Sequence, residues 1–389
     1  MLYYRYRPPT ELCLKELLYN ELYFCSAKES NDPFEGQSFF EFPADKEKWE
    51  KLLLFIKKKS KLFKDININA TTKNIIKLCP IAFSELFSNK IKSKLISCIV
   101  TEVKSRYVVK RTYALELIEY MEKFYPEYMY FVSFSKTNNE PLLWSHYAGK
   151  HEGFCLIFKS INGILSQDQT KLKKQINRKT NKGFASLMSQ AIQKSFPFKD
   201  INYVNEVELL DAFLRFPESV AGGKITKEQE IKLAKEYDKH YIQKHKTWNY
   251  ENESRLIFNS AEPWAFGEQI ILSPLERLIH YEPTQLVGII YGSRMKDEFK
   301  SRIREIIKQR IDQIAIGVEY SRVMFDFVIF ESKLSNDSRS LQIKPLEIIG
   351  LDSNGIKSSD TKFEEKYKKW QDGHGVHSEN GRFSRVQIP

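Results

Sequence analysis

The stretch Tyr130-Phe-Val-Ser-Phe-Ser135, followed by a polar turn over 136–140, Leu143-Trp-Ser-His-Tyr147 and then Gly153-Phe-Cys-Leu-Ile-Phe158, sets the reading of this chain. The first hexapeptide reads as a strand ending in two hydroxyls. Residues 141–149 read as a short helix carrying Trp144 and Tyr147. The run 153–158 is apolar at every position after its glycine, which fits a strand covered on both faces. Upstream, residues 2–7 alternate, placing Tyr4 and Tyr6 on one face and Arg5 and Arg7 on the other. Pro8-Pro9 ends that strand, Thr10 caps a helix over 11–20, and Leu22-Tyr-Phe-Cys reads as a further strand. Downstream, 254–258 and 286–291 read as strands, 295–310 as a helix, and segments near 324–330 and 340–348 as two more strands.

These strands are short and far apart in sequence. Between them lie two long, Lys-rich stretches, about 44–128 and 160–245, both expected to be helical. The expected fold is therefore α+β: a mixed, mainly antiparallel and split β-sheet core over 1–350, with two helical basic insertions. The remaining residues, 351–389, read as a polar and flexible tail.

Composition narrows the function. Apolar residues make up 42% of 389 residues, with 27 Phe and 20 Tyr, so a folded core is expected. No apolar run reaches the roughly 18 residues of a spanning helix, and the first residues lack the apolar core of a secretory signal. The five cysteines are scattered, without C-x-x-C spacing. A cytoplasmic protein with no membrane partner is the expectation. The net charge of +11 is concentrated: residues 51–111 hold 15 Lys/Arg against 3 Asp/Glu, and residues 159–199 hold 9 against 1. Such segments attract phosphate backbones, so RNA or DNA is an expected partner.

The chemistry-bearing residues lie on or beside the strands. Arg5 and Arg7 sit on the first, Ser133 and Ser135 end a middle one, and Glu251 and Glu253 precede a later one that carries Arg255. A cation, a hydroxyl pair and an acid pair on separate strands can converge on one cleft. Asn31-Asp32-Pro33 reads first as a turn, with Asp32 and Glu35 as lesser site candidates.

The runs Tyr4-Arg-Tyr-Arg-Pro, Asn31-Asp-Pro-Phe-Glu, Ser133-Phe-Ser, Leu143-Trp-Ser-His-Tyr, Gly153-Phe-Cys-Leu-Ile-Phe and Tyr250-Glu-Asn-Glu-Ser-Arg resemble a widespread bacterial family of unknown function. That resemblance spreads over roughly residues 2–348, with both basic insertions outside it, and names no reaction. The order of basic residue, Ser-x-Ser and Glu-x-Glu is in turn similar to the ADP-ribosyltransferase superfamily. This second resemblance implies NAD as substrate and no metal. It implies that Arg7 or Arg5 orients NAD, that Ser133 and Ser135 support its nicotinamide end, that Glu253 is catalytic, and that Glu251 places or activates the acceptor. The sequence departs from the superfamily pattern at Phe134, where Thr is usual, and in offering two arginines.

The residue types suit that chemistry. Breaking the nicotinamide–ribose bond builds positive charge on the ribose, which a carboxylate stabilises in the transition state. Arg offers a pyrophosphate a bidentate fork, and Trp144 or Tyr147 could stack on the nicotinamide ring. Three alternatives stand beside it. The first is a metal-dependent nuclease using Asp32, Glu251 and Glu253, although the seven histidines show no metal spacing. The second is an ADP-ribosyltransferase acting on protein, and the third is a non-enzymatic nucleic-acid-binding module. Of the acceptors, RNA is favoured over DNA. An enzyme that spends NAD on nucleic acid endangers its host, which points to a toxin-like or phage-defence role with a neutralising antitoxin partner.

Overall fold

The computed structural model describes residues 1–26, 29–32, 40–59, 66–101, 107–122, 124, 129–171, 176–180, 183–187, 194–206, 209–216, 227–228, 241–259, 272–317, 326–335, 340–350 and 355–374. Among these, ten strands form one sheet. In chain order they are β1 (Leu2–Arg7), β2 (Cys25–Ser26), β3 (Met129–Ser135), β4 (Phe154–Lys159), β5 (Lys199–Asp200), β6 (Glu253–Asn259), β7 (Leu286–Tyr291), β8 (Phe327–Leu334), β9 (Leu341–Ile349) and β10 (Ile356–Lys357). Their spatial order is β5-β6-β3-β1-β4-β7-β8-β9-β10. Every pairing is antiparallel except β7 with β8. The fold is mixed α+β and mainly antiparallel, as the strand pattern predicts.

Both faces of the sheet are covered, which explains why all six residues of β4 and of β7 are buried. One face carries Tyr3 and Phe158, opposite each other in register. It is packed by helices α1 (Glu11–Tyr19) and, further along the chain, Asp297–Gly317. The two helices are tied by Arg310, whose Nη1 donates to the Leu17 carbonyl at 2.6 Å. That carbonyl is in the last turn of α1, where intrahelical donors run out. The other face carries Tyr4 and Tyr6. Tyr6 meets Trp144 edge-on at 5.2 Å, from the helix Pro141–Tyr147.

β3 is the strand where the sheet splits. One of its edges pairs with β6 along the whole length, from Glu253↔Ser135 to Asn259↔Met129. Its other edge meets β1 only at Tyr4↔Ser135, then turns to β2 at Cys25↔Phe131 and Ser26↔Tyr130.

The first insertion is helical, as expected: α2 (Lys46–Lys59), α3 (Ile68–Ile76), α4 (Asn89–Val100) and α5 (Tyr107–Glu122). These helices enclose an apolar cluster separate from that of the sheet, built around Phe42, Trp49, Leu53, Ile75, Phe83 and Phe213. In chain order the helix Pro141–Tyr147 is α6, Asp297–Gly317 is α7 and Phe363–His374 is α8.

Three expectations change. The second basic stretch, expected to be helical over 160–245, forms short strands in its described part up to 211, among them Ile164–Ser166, Ile176–Thr180, Gly183–Leu187 and Ser195–Pro197. Lysines dilute its apolar signal, yet Phe196 and Phe198 alternate at a strand period, Phe196 being fully buried and Phe198 packed on the core. The strand read at Leu22-Tyr-Phe-Cys is two pieces, Glu21–Tyr23 and β2. They separate at the fully buried Phe24 and pair with different partners. The stretch after residue 351, read as a loose tail, contains α8. Phe363 and Trp370 of α8 are buried in the main core, and Trp370 Nε1 donates to the Val287 carbonyl at 3.1 Å. No helix among the described residues is long and apolar enough to cross a membrane.

Trp370→Ala should therefore cost about 3–5 kcal/mol, the range for emptying a buried aromatic site. Lys369→Ala, at an exposed neighbour, should stay within about 0.5 kcal/mol. Urea unfolding curves measure both, and an unshifted midpoint for the tryptophan variant would mean that α8 is not docked.

Candidate active site

The segment Trp248-Asn-Tyr-Glu-Asn-Glu-Ser-Arg255 builds the site by an abrupt change of backbone. Residues Lys246–Glu251 form a 3-10 turn, and Asn252 then takes a left-handed conformation with φ 44° before β6 begins. Asn tolerates that conformation better than most residues. The kink leaves Glu251 and Glu253 both buried, at 4% and 3% exposure. The register Glu253↔Ser135 and Arg255↔Ser133 puts these four residues on one face, because in-register antiparallel partners project to the same side. Tyr4, opposite Ser135 on β1, shares that face.

The two carboxylates belong to one ion network. Lys244, from the short strand Gln243–His245, places its ammonium 2.6 Å from Glu251 Oε2 and 3.1 Å from Glu253 Oε2. The same ammonium lies 4.8 Å from the centre of the Trp248 ring. Arg255 Nε donates to Glu253 Oε1 at 2.6 Å and its Nη2 to Oε2 at 3.2 Å, while its guanidinium covers the Phe131 ring at 4.3 Å. Tyr147 OH donates to Glu251 Oε1 at 2.6 Å. The Ser133 hydroxyl hydrogen-bonds the Glu253 carboxylate. Ser135 Oγ donates to the Glu251 carbonyl at 2.6 Å, and the Tyr203 hydroxyl accepts from the Glu253 N–H at 2.8 Å.

The environments push the two acids apart. Burial raises Glu251 above the ordinary glutamate value, and Glu253 adds to this, while Lys244 and Tyr147 only partly offset the rise. Burial also acts to raise Glu253, but Arg255 and then Lys244 outweigh it and bring the carboxyl down to about 2. Lys244 is held protonated: the two carboxylates overcome the burial that would lower it. The result is one strongly ionised carboxylate beside one with greater affinity for a proton, a combination suited to acid–base work.

The structure gathers Glu251, Glu253, Ser133, Ser135 and Tyr147. Trp144 lies apart from them as a core side chain, fully buried, with Nε1 donating to the Asn138 carbonyl at 2.9 Å. It has no ring face open to a ligand. Arg5 and Arg7 alternate onto the opposite side of β1 from Tyr4, and Arg7 is paired with Glu16 of α1. Arg5 reaches back to the split: its Nη1 is 3.4 Å from the Ser133 carbonyl, between the points where β3 pairs with β1 and with β2. Burial, with Arg7 alongside, lowers the Arg5 guanidinium to about 10. Asp32 is buried, and Glu35 lies outside the described residues. Among the described residues, no group of three or more His, Cys, Asp and Glu comes together in a way that could hold a metal ion.

Sequence reasoning missed Lys244 and Tyr203. Lys244 stands seven residues before Glu251 in a Lys-rich stretch, and Tyr203 fifty residues before Glu253, so neither has a spacing that announces it.

Residues 143–256 match the model of a family described as "Protein of unknown function (DUF2971)". The matched segment contains Tyr147, Tyr203, Lys244, Glu251, Glu253 and Arg255, and leaves Arg5, Arg7, Ser133 and Ser135 outside. It is continuous through the second basic stretch, which the motif reading placed outside the resemblance. Neither the curated proteins nor the solved structures contain a match to this chain.

The low Glu253 value fixes a pH dependence. A carboxyl that titrates at about 2 when folded and at 4.5 otherwise contributes stability in full above 4.5, and loses it as pH falls toward 2. Glu253→Gln leaves two buried cations undercompensated and should cost about 3–5 kcal/mol near neutral pH. The gap to wild type should close as pH falls through that window. Chemical denaturation at stepped pH tests this, and a gap independent of pH would contradict the ion network.

Proposed function

We propose that this protein transfers ADP-ribose from NAD, with its chemistry at the Glu251–Glu253 pair. One observation carries the reading: Ser133 stands between the acid and the cation, its hydroxyl on the Glu253 carboxylate and its carbonyl facing Arg5. The acid, hydroxyl and arginine positions that the superfamily resemblance implies thus lie on three adjacent strands, β6, β3 and β1, with the acids and hydroxyls on one face and Arg5 reaching the Ser133 carbonyl from the other.

In this reading Glu253, kept ionised by Arg255 and Lys244, stabilises the positive charge that develops on the ribose as nicotinamide leaves. Glu251, with its raised proton affinity and its contact to Tyr147, takes the proton from the acceptor nucleophile. Arg5, at the parting of β1 and β2, takes the pyrophosphate, and Ser133 and Ser135 hold the nicotinamide end. Of Trp144 and Tyr147, it is Tyr147 that lies beside the acids, whereas Trp144 is committed to the core. The reading calls for no metal.

The acceptor in this proposal is nucleic acid, RNA before DNA. Exposed lysines of the first insertion, such as Lys58, Lys90 and Lys94, and the cationic segment 159–199 support it. Such an activity inside a cell fits a toxin-like or phage-defence effector held in check by a neutralising partner.

Labelled NAD incubated with total RNA, DNA and protein should give nicotinamide release and label on RNA. Glu253→Gln and Glu251→Gln should each reduce the rate by a factor of about 100 or more. EDTA should have no effect. Wild-type protein that leaves NAD intact under all acceptors would overturn the proposal, and label on protein alone would replace the acceptor.

A further inference from the structure

Among the described residues, the Lys244 ammonium is the one cation shared by both carboxylates, and it is itself nine-tenths buried. Arg255 grips Glu253 through two nitrogens on two oxygens. We propose that Lys244 is a positioning residue that keeps Glu251 ionised and fixes its carboxylate plane between the ammonium and the Tyr147 hydroxyl. The catalytic meaning of this role rests on the reading above; the electrostatic role stands without it.

The argument is one of charge balance. Among the described residues, the groups facing Glu251 are Lys244 from its own short strand, Glu253 and Arg255 from β6, Tyr147 from α6, Tyr203 from the strand Asn202–Val204, and Tyr250 at the margin. The tyrosines are neutral. Among the described residues, the two carboxylates Glu251 and Glu253 therefore face the two cations Lys244 and Arg255 in buried surroundings, and both can remain ionised. Without Lys244, two carboxylates would share Arg255. Bidentate pairing gives Arg255 to Glu253, so Glu251 would have to bind a proton, or the site would have to open. A protonated Glu251 could no longer act as a base.

The test uses the full chain and needs no ligand. Glutamate carboxyls labelled with carbon-13 are titrated by NMR in wild type, Lys244→Met, Lys244→Arg and the double variant Lys244→Met/Glu251→Gln. One carboxyl titration should move up by about one unit or more in Lys244→Met. It should be absent from the double variant and unmoved in Lys244→Arg. If Lys244→Met fails to fold at neutral pH, the double variant, which removes the stranded negative charge, should regain the fold. A Lys244→Met titration like that of wild type, a shift that survives loss of Glu251, or a double variant as unfolded as the single one would each overturn the proposal. With NAD consumption as readout, the acid limb of the rate profile should move up in Lys244→Met and stay in place in Lys244→Arg. Absence of turnover in wild type would count against the reaction alone, since the carboxyl titration judges Lys244 without it.

Discussion

The register between β3 and β6 is the constraint on which the candidate site depends. Side chains along a strand alternate, so a slip of one residue would send Glu253 and Arg255 into the main apolar core and bring Ser254 and Leu256 to the site face. Both strands resist such a slip. Val132 and Phe134 on β3, with Leu256 and Phe258 on β6, are buried in the large cluster, whereas Phe131 and Ile257 form a separate small cluster on the other side. The apolar pattern thus aims the polar residues without contributing to their chemistry.

What the register aims is a buried ionic group. Two carboxylates and two cations are buried within a few residues of one another, and each cation also covers an aromatic ring. Removing four charges from water has a large desolvation cost, and replacing such a group by packed apolar residues is often neutral or stabilising. Its presence here, next to a serine and a tyrosine that bond the same carboxylates, makes the group a candidate for chemistry as well as for stabilisation.

The same sheet holds elements of different kinds together. α1 and α7 cover one face and α6 and α8 the other, and the arginines of β1 divide between these settings: Arg7 commits to Glu16 of α1, and Arg5 reaches through the split toward Ser133. The helical insertion keeps its own apolar cluster, so its lysines ride on a unit that does not draw on the main core for burial. Several of those lysines are spent on local acids, Lys46 with Glu50 and Lys51 with Glu47 among them, so the free positive charge of the segment is smaller than its composition suggests.

The sequence by itself determined seven of the ten strands of the central sheet (β1, β3, β4 and β6 to β9), the helical character of the first insertion, and the separation of Arg5 and Arg7 from Tyr4 and Tyr6. Each of these is a local periodicity of apolar and polar residues, which a strand or helix must obey to bury one face. Only the tertiary structure decided which strands neighbour one another, that Trp144 is core while Tyr147 reaches Glu251, that the second basic stretch forms strands, and that the final helix is docked. Pairing and burial depend on residues far away in the chain: Lys199 becomes a strand residue because Arg255 lies opposite, and Lys244 becomes the centre of the site because a turn brings two glutamates to it. Such contacts have no period and leave no local trace, which is why the acids were legible in the sequence and the lysine between them was not.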